Sequence, residues 1–356
     1  MTVRVAARDR PPLLRRVPLP ALGVVLAAAL VLSMTVAIGI GPVSVPVGDV
    51  VDALTRHLGG SGAAGRYDFI VWELRVPRVL QGAFVGAGLA VAGLLTQAMT
   101  GNPLGDPYVL GLSSGAAVGA VLVLTTAGSA VLGLLTVPAA AFLGALAAAA
   151  VVFALARAGT RTPPARLVMT GIALAQLLSG VVSFLLLTTR NSNAQQQVLF
   201  WLLGSLAGTQ WALGTVGAVA IGLLIVAAAA VSSRLNLLVL GDDGAAALGL
   251  NSSRLRLVLL VLVTLLTGTA VAVAGSIGFL GLVVPNLTRL LVGADHRRAV
   301  PVGALLGALI LVWADTAARV VLAPTETPIG ILTAVFGVPV FLLVLRRSAT
   351  GTAGLS

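Results

Sequence analysis

Few residues in this chain could do chemistry, and their types and spacing favour ion pairing over bond making. Asp315 and Arg319 stand four apart in "ADTAAR", so on a helix they share one face and can pair. Arg75 and Arg78 flank a proline in "RVPR". Asn102 and Asp106 each precede a proline in "GNPLGDP", which disfavours helix there; Pro103 follows the first of them. Asn286 and Arg289 lie about one turn apart behind Pro285 in "VVPNLTR". Asp242 and Asp243 break a long apolar run in "VLGDDGAAALGL".

Several chemistries are excluded outright. The chain has no cysteine, so disulfides, thiolate metal sites and cysteine nucleophiles are absent. His57 and His296 are its only imidazoles and lie far apart, so no metal site is expected. All 22 basic residues are arginine. Without lysine there is no Walker A motif, so this chain cannot be a P-loop ATPase. Any ATP-driven step needs another subunit to bind ATP and Mg, and no cofactor is expected in this one.

The elements that must position these residues are membrane helices. Of 356 residues, 58% are hydrophobic and only 9% charged, against about 25% charged in a soluble domain. The fold class expected is an all-α integral membrane protein. A membrane helix needs about 20 apolar residues. Ten spans are predicted, near 19–40, 79–99, 108–126, 134–157, 165–188, 210–232, 256–275, 277–293, 299–320 and 328–346. Residues 19–347 then form the membrane domain, between tails 1–18 and 348–356. The first apolar run is too long for a signal peptide and no clean cleavage site follows it, so it reads as a retained helix.

Ten spans put both termini on one side, and arginine counts choose the side. With cytoplasmic termini, the inside segments hold Arg4, Arg8, Arg10, Arg15, Arg16, Arg157, Arg161, Arg166, Arg234, Arg254, Arg256, Arg289, Arg297, Arg298, Arg346 and Arg347, which is 16 of 22. The net charge of +11 is therefore mostly topological. It points to the membrane lipid surface and not to nucleic acid. The expected location is the plasma membrane of a bacterium, multi-pass.

On these spans the residues of interest acquire context. Gly82, Gly86, Gly88 and Gly93 fall along span 2, and Gly111, Gly115 and Gly119 repeat every four residues in span 3. Both strips suit close helix packing. The span 7–8 run is expected to break at "GSIG", Gly275 to Gly278. An ionisable residue at membrane depth, such as Asp315, is a functional candidate by default. Glu326 with Pro328 would cap span 10, where Gly337 and Pro339 weaken the helix midway, as suits a movable gate. The plainer readings are a tight loop at Asn102–Asp106, interfacial anchoring by Arg289, and a structural Asp315–Arg319 pair. Taken alone, these features describe a ten-span transporter of open mechanism. One alternative is an ion-coupled carrier with Asp315 as the cycling carboxylate.

Seven elements in order narrow this further: "RVPR", "GNPLGDPYVLGLSSGA", "LGDDGAAALGL", "GFLGLVVPNLTRLL", "GADHRR", "ADTAAR" and "TPIGILTAVFGVPVF". Together they resemble the FecCD family of ABC importer permeases, over about 59–347. Most members import ferric siderophores or haem, and one type imports vitamin B12. One departure is Asn286, where the family usually carries histidine. Asparagine keeps a hydrogen bond but cannot titrate near neutral pH.

The resemblance implies a BtuC-like type II ABC importer permease fold. It implies a dimer with a second permease copy or paralogue, two cytoplasmic ATP-binding subunits and an external substrate-binding protein. By the same resemblance, Arg75, Arg78 and Arg319 dock carboxylates of the binding protein. Arginine suits this, being always charged and bidentate, and for Arg319 the role competes with pairing to Asp315. Residues 239–254 resemble the coupling helices that meet the ATPases, with Leu240, Gly241, Asp242, Asp243, Ala246, Leu248 and Gly249 at the contact. Acidic residues are favoured at a helix start, and Asn251 or Ser252 is a plausible cap for the next span. Asn102, Pro103, Asp106, Pro285, Asn286, Arg289, Asp315, Gly337 and Pro339 are the candidates for the translocation path and its gates. The cargo favoured is a ferric siderophore, with vitamin B12 and haem as alternatives.

Overall fold

A computed structural model describes residues 13–14, 17–60, 65–126, 133, 136–157, 163–323 and 325–349, with side chains excluded for 344–349. Most of the two expected tails, Arg161, and residues 127–132 of the expected break after span 3 lie outside the described residues. The described chain is helical, with no strand: α1 Leu19–Gly39, α2 Val47–Gly59, α3 Val76–Thr100, α4 Leu112–Thr126, α5 Thr136–Ala156, α6 Pro164–Thr188, α7 Ser192–Leu203, α8 Trp211–Leu238, α9 Gly241–Ala247, α10 Ser252–Ala274, α11 Leu280–Val292, α12 His296–Val320 and α13 Ile329–Ala349. A π-helical stretch, Phe69–Arg75, runs straight into α3.

Seven helices are long and apolar enough to cross a membrane: α1, the continuous Phe69–Thr100, α5, α6, α8, α10 and α12. Shorter apolar helices cover Leu112–Thr126, Leu280–Val292 and Ile329–Leu343. The ten predicted spans fall on these ten helices. Three further helices were not predicted as spans. The short α9 lies in the segment expected to couple. The amphipathic α2 buries only Val50 and Ala53. In α7 the polar start hid a helix that Asn191 caps by accepting the N–H groups of Asn193 and Ala194.

The core forms around α3, which is almost wholly buried and packs on α8, α10, α11 and α12. Its glycines permit this. A Cβ on Gly93 would stand 2.6 Å from Gly281 Cα on α11, and one on Gly86 would stand 2.8 Å from the Gly307 carbonyl carbon on α12. Backbone cannot give way as a side-chain tip can. Pro285 lacks the N–H that would bond the Gly281 carbonyl four residues back, and that carbonyl faces Gly93.

The second glycine strip needs a correction. Gly115 and Gly119 do pack against α5, at Gly144 and Ala140. Gly111 is not on the helix. It ends a 3-10 turn, Pro107–Leu110, at φ 75, donating its N–H to Tyr108 O, and α4 starts one residue later.

The break between α10 and α11 is present. Gly275 has φ 68, and Phe279 has φ 67, the one described non-glycine residue with positive φ. With its 13 residues, α11 rises about 20 Å, short of the ~30 Å apolar thickness. The break therefore sits inside the bundle, where its polar backbone needs partners. Tyr108 supplies them: its hydroxyl donates to Ile277 O at 2.9 Å and accepts from Ile277 N–H at 3.0 Å.

Candidate docking and coupling sites

Two groups of polar side chains occupy opposite ends of the bundle. At one end α1 finishes, α3 starts and α12 finishes. At the other α8 finishes, α9 turns the chain and α10 starts.

The first end holds an ion cluster that the sequence placed in three separate elements. Arg78, on the first turn of α3, donates to Asp315 on α12 through Nε (3.0 Å to Oδ1) and Nη2 (2.8 Å to Oδ1). Its Nη1 donates to both oxygens of Glu326, at 2.8 and 3.0 Å. Glu326 was expected to cap α13; its carboxylate instead accepts from Arg78, whose buried charge it helps to offset. Arg319 sits 3.2 Å (Nε) from Asp315 Oδ2. It also donates to Ile40 O at 2.9 Å, Ala37 O at 3.0 Å and Thr316 Oγ1 at 3.0 Å. The i, i+4 pair expected on span 9 is present, and Arg78 shares its carboxylate.

Arg75 behaves differently. It donates to the carbonyls of Ile38 (2.7 Å), Gly39 (3.0 Å) and Val43, and pairs with no carboxylate among the described residues. It closes the turn after α1. All three arginines are buried, at 6%, 8% and 3% exposure for Arg75, Arg78 and Arg319. Each is already engaged by partners within the chain.

At the opposite end, α9 is a seven-residue helix that starts on Gly241 (φ 78) and is followed two residues after its end by Gly249 (φ 79), both in the left-handed region. Only glycine adopts these turns without strain. Leu240 and Leu248 are exposed at 58% and 61%. Asp243 and Ala246 are exposed as well, while Ala245 packs inward. The two aspartates part ways. Asp242 turns back to α10 and accepts from Arg256 through both oxygens, at 2.6 and 3.1 Å. Asn251 caps α10, accepting the Arg254 N–H at 3.0 Å. Nearby, Asn236 at the end of α8 donates to Asp295 at 2.7 Å and accepts the His296 N–H at 3.0 Å, bracing α8 against the start of α12.

Between these ends the candidate path residues divide. Asn286 donates to Pro103 O at 3.2 Å and Leu282 O at 2.7 Å, so the "GNPLGDP" and "PNLTR" elements touch. Arg289 donates to Asn286 Oδ1 at 2.8 Å and to Gln97 Oε1 on α3, so it does more than anchor at an interface. Asn102 makes a local turn, accepting the Leu104 N–H at 2.9 Å. Asp106 accepts the Tyr108 N–H at 2.7 Å, and removal from water pushes its carboxyl up to about 6 against that bond. Gly337 of α13 lies against the Phe279 side chain, and Pro339 lies two residues on inside the same helix. Asp315 is not with this group; it belongs to the ion cluster. The sequence reading missed Arg256, Asn236, Gln97 and Tyr108 as functional partners. Tyr108 alone lay inside a recognised motif; Gln97 sits in an apolar run, Asn236 and Arg256 beside other polar residues, and none of these three carries a local signal of its partner.

Comparison with known proteins gives these two ends a common setting. Residues 29–347 match the FecCD transport family. The chain is 43% identical over 280 residues to the cobalamin import system permease protein BtuC of Halobacterium salinarum, covering 78% of this chain and 73% of that one. It is 42% identical over 289 residues to the hemin transport system permease protein HmuU of Yersinia pestis, covering 80% and 85%. A solved metal-chelate type ABC transporter in an inward-facing conformation superposes with a TM-score of 0.81 at 30% identity, over 92% of this chain and 99% of that one. The chain therefore belongs to the FecCD transport family, as a multi-pass membrane permease subunit and not an enzyme.

Proposed function

We propose that this chain is the permease of an ABC importer that passes a ferric siderophore, delivered by an external binding protein and driven by ATP hydrolysis in two partner subunits. The observation that carries the reading is the pairing of two built ends: a cationic cluster at one and an exposed, glycine-hinged helix at the other. Arginine distribution favours placing α9 and both termini in the cytoplasm. On that orientation Arg78, Arg319 and Glu326 lie at the exterior end of the bundle, and Leu240, Asp243, Ala246 and Leu248 offer a small ridge to an ATPase groove. Arg75 supports docking indirectly, by fixing the turn beside Arg78.

In this mechanism the loaded binding protein docks on the arginine cluster. ATP binding and release then push and pull α9, and Asp242–Arg256 passes the movement to α10. The α10–α11 break and the facing α13 shift with it, and the path beside a second permease copy or paralogue opens to alternate sides. The relatives named above carry cobalamin and haem, and another carries iron(3+)-hydroxamate, so the metal-chelate class is well supported. Within it we favour siderophore over vitamin B12 and haem.

An ion-coupled carrier built on Asp315 finds little support. The carboxylate is held by two guanidinium groups, and loading another cation would mean breaking both pairs. The test is reconstitution of permease, ATP-binding subunits and binding protein in vesicles. Uptake should need ATP and the binding protein. Uptake by the lone permease on an ion gradient, abolished by Asp315→Asn, would overturn the reading.

A further inference from the structure

Arg78 is shared by two carboxylates of very different standing. Asp315 lies inside the bundle, 1% exposed, and takes Nε and Nη2. Glu326 lies on the connector to α13 with its side chain 35% exposed, and takes Nη1 alone. A carboxylate arriving from the solvent on that side would reach Arg78 by the route Glu326 already uses. The charge count leaves room for one. Arg75, Arg78 and Arg319 are near enough to feel one another's charge, and the carboxylates among them are Asp315 and Glu326. Among the described residues, three cations face two anions there.

Glu326 is also mechanically placed. The Thr327 N–H donates to Ala318 O on α12 at 3.1 Å, and the Ile329 N–H donates to Gly204 O at 3.0 Å. Together with the Arg78–Glu326 pair, these bonds hold the entry to α13. That helix carries Gly337 against Phe279 and, in its interior, Pro339.

We propose that Glu326 is an internal stand-in for a carboxylate of the docking protein. In the undocked permease it occupies Arg78 Nη1 and pins the start of α13. An acidic side chain of the binding protein exchanges with it, so docking and release of α13 become one event. The inference rests on the docking reading above and adds the exchange. Such an exchange is competitive: loss of Glu326 with Arg78 kept strengthens docking, and docking in turn weakens the Arg78–Glu326 pair.

The test uses the full complex in lipid nanodiscs, with its ATP-binding subunits, and the external binding protein. Dissociation constants are measured for the wild type, Glu326→Gln and Arg78→Gln. Because the chain has no cysteine, the purified Thr325→Cys permease, spin-labelled before the partners are added, carries its label on the connector alone. Glu326→Gln should bind the binding protein roughly fivefold or more tightly, and Arg78→Gln should bind it more weakly by at least that factor. The label should gain mobility on docking and show that mobility undocked in Glu326→Gln. If Arg78→Gln weakens docking while Glu326→Gln keeps wild-type affinity and label mobility, the exchange is wrong and the docking reading stands. If Glu326→Gln binds more weakly, Glu326 braces the docked state and the exchange is again wrong. If Arg78→Gln docks as the wild type does, the docking reading itself falls. Should Glu326→Gln fail to assemble, the wild-type label decides: unchanged mobility on docking overturns the proposal.

Discussion

Replacing Asp242 with asparagine should uncouple ATP hydrolysis from uptake without detaching the ATPases. The side chain receives both Arg256 Nη groups, at 2.6 and 3.1 Å. Bidentate arginine–carboxylate pairs are the stronger kind. Asp242 is 58% exposed and Arg256 only 10% on their side chains, so the solvent-facing half of the pair must be discounted. About 1–2 kcal/mol is then reasonable for the hold of α9 on α10, a factor of roughly 5–30 in the time the two stay locked. Uptake per ATP hydrolysed should fall by about that factor, while ATPase association, read by co-purification, stays as in the wild type because Leu240, Asp243 and Leu248 are untouched. The exchanged pair Asp242→Arg with Arg256→Asp should recover part of the loss. An Asp242→Asn complex with wild-type uptake per ATP would refute the reasoning.

Three further outcomes follow from the geometry. Gly93→Val should lower the thermal midpoint sharply or prevent assembly, since its Cβ would meet Gly281 backbone; Gly23→Val, with open space around it, is the control. Tyr108→Phe removes both partners of the Ile277 backbone inside the bundle and should cost about 1–3 kcal/mol in denaturant unfolding. For Asp106 the raised pKa means that the ionised form costs stability in the fold. The cost is absent near pH 4 and complete above about 6, so the thermal advantage of Asp106→Asn should grow as pH rises from 4 to 7 and then level off. An advantage independent of pH would contradict that assignment.

The spans were legible because each is a long apolar run with few or no charges, and the ten helices return them within a few residues. The break at Gly275 was legible from its glycines. Helix α7 was not, because its first turn, "NSNAQQQ", carries the polarity of a loop and is made helical by the Asn191 cap. The ionic partners were the least legible part. Arg78, Asp315 and Glu326 come from α3, α12 and the connector after it, and no spacing rule links positions more than 200 residues apart. The sequence offered Asp315–Arg319 because i, i+4 neighbours are local, and offered Arg75 with Arg78 as equals because they share a motif. Packing separated them: Arg75 was drawn to carbonyls and Arg78 to carboxylates. The same applies to Asp242 and Asp243, adjacent in sequence and pointed in different directions by the step of about 100° between helix neighbours.

The most direct test is uptake of an iron-55-labelled ferric siderophore into vesicles holding the permease with its ATP-binding subunits, with binding protein and ATP added separately and together. The proposed function requires uptake only with both present, and its loss on Arg78→Gln. Transport that proceeds without ATP, or without the binding protein, would contradict it.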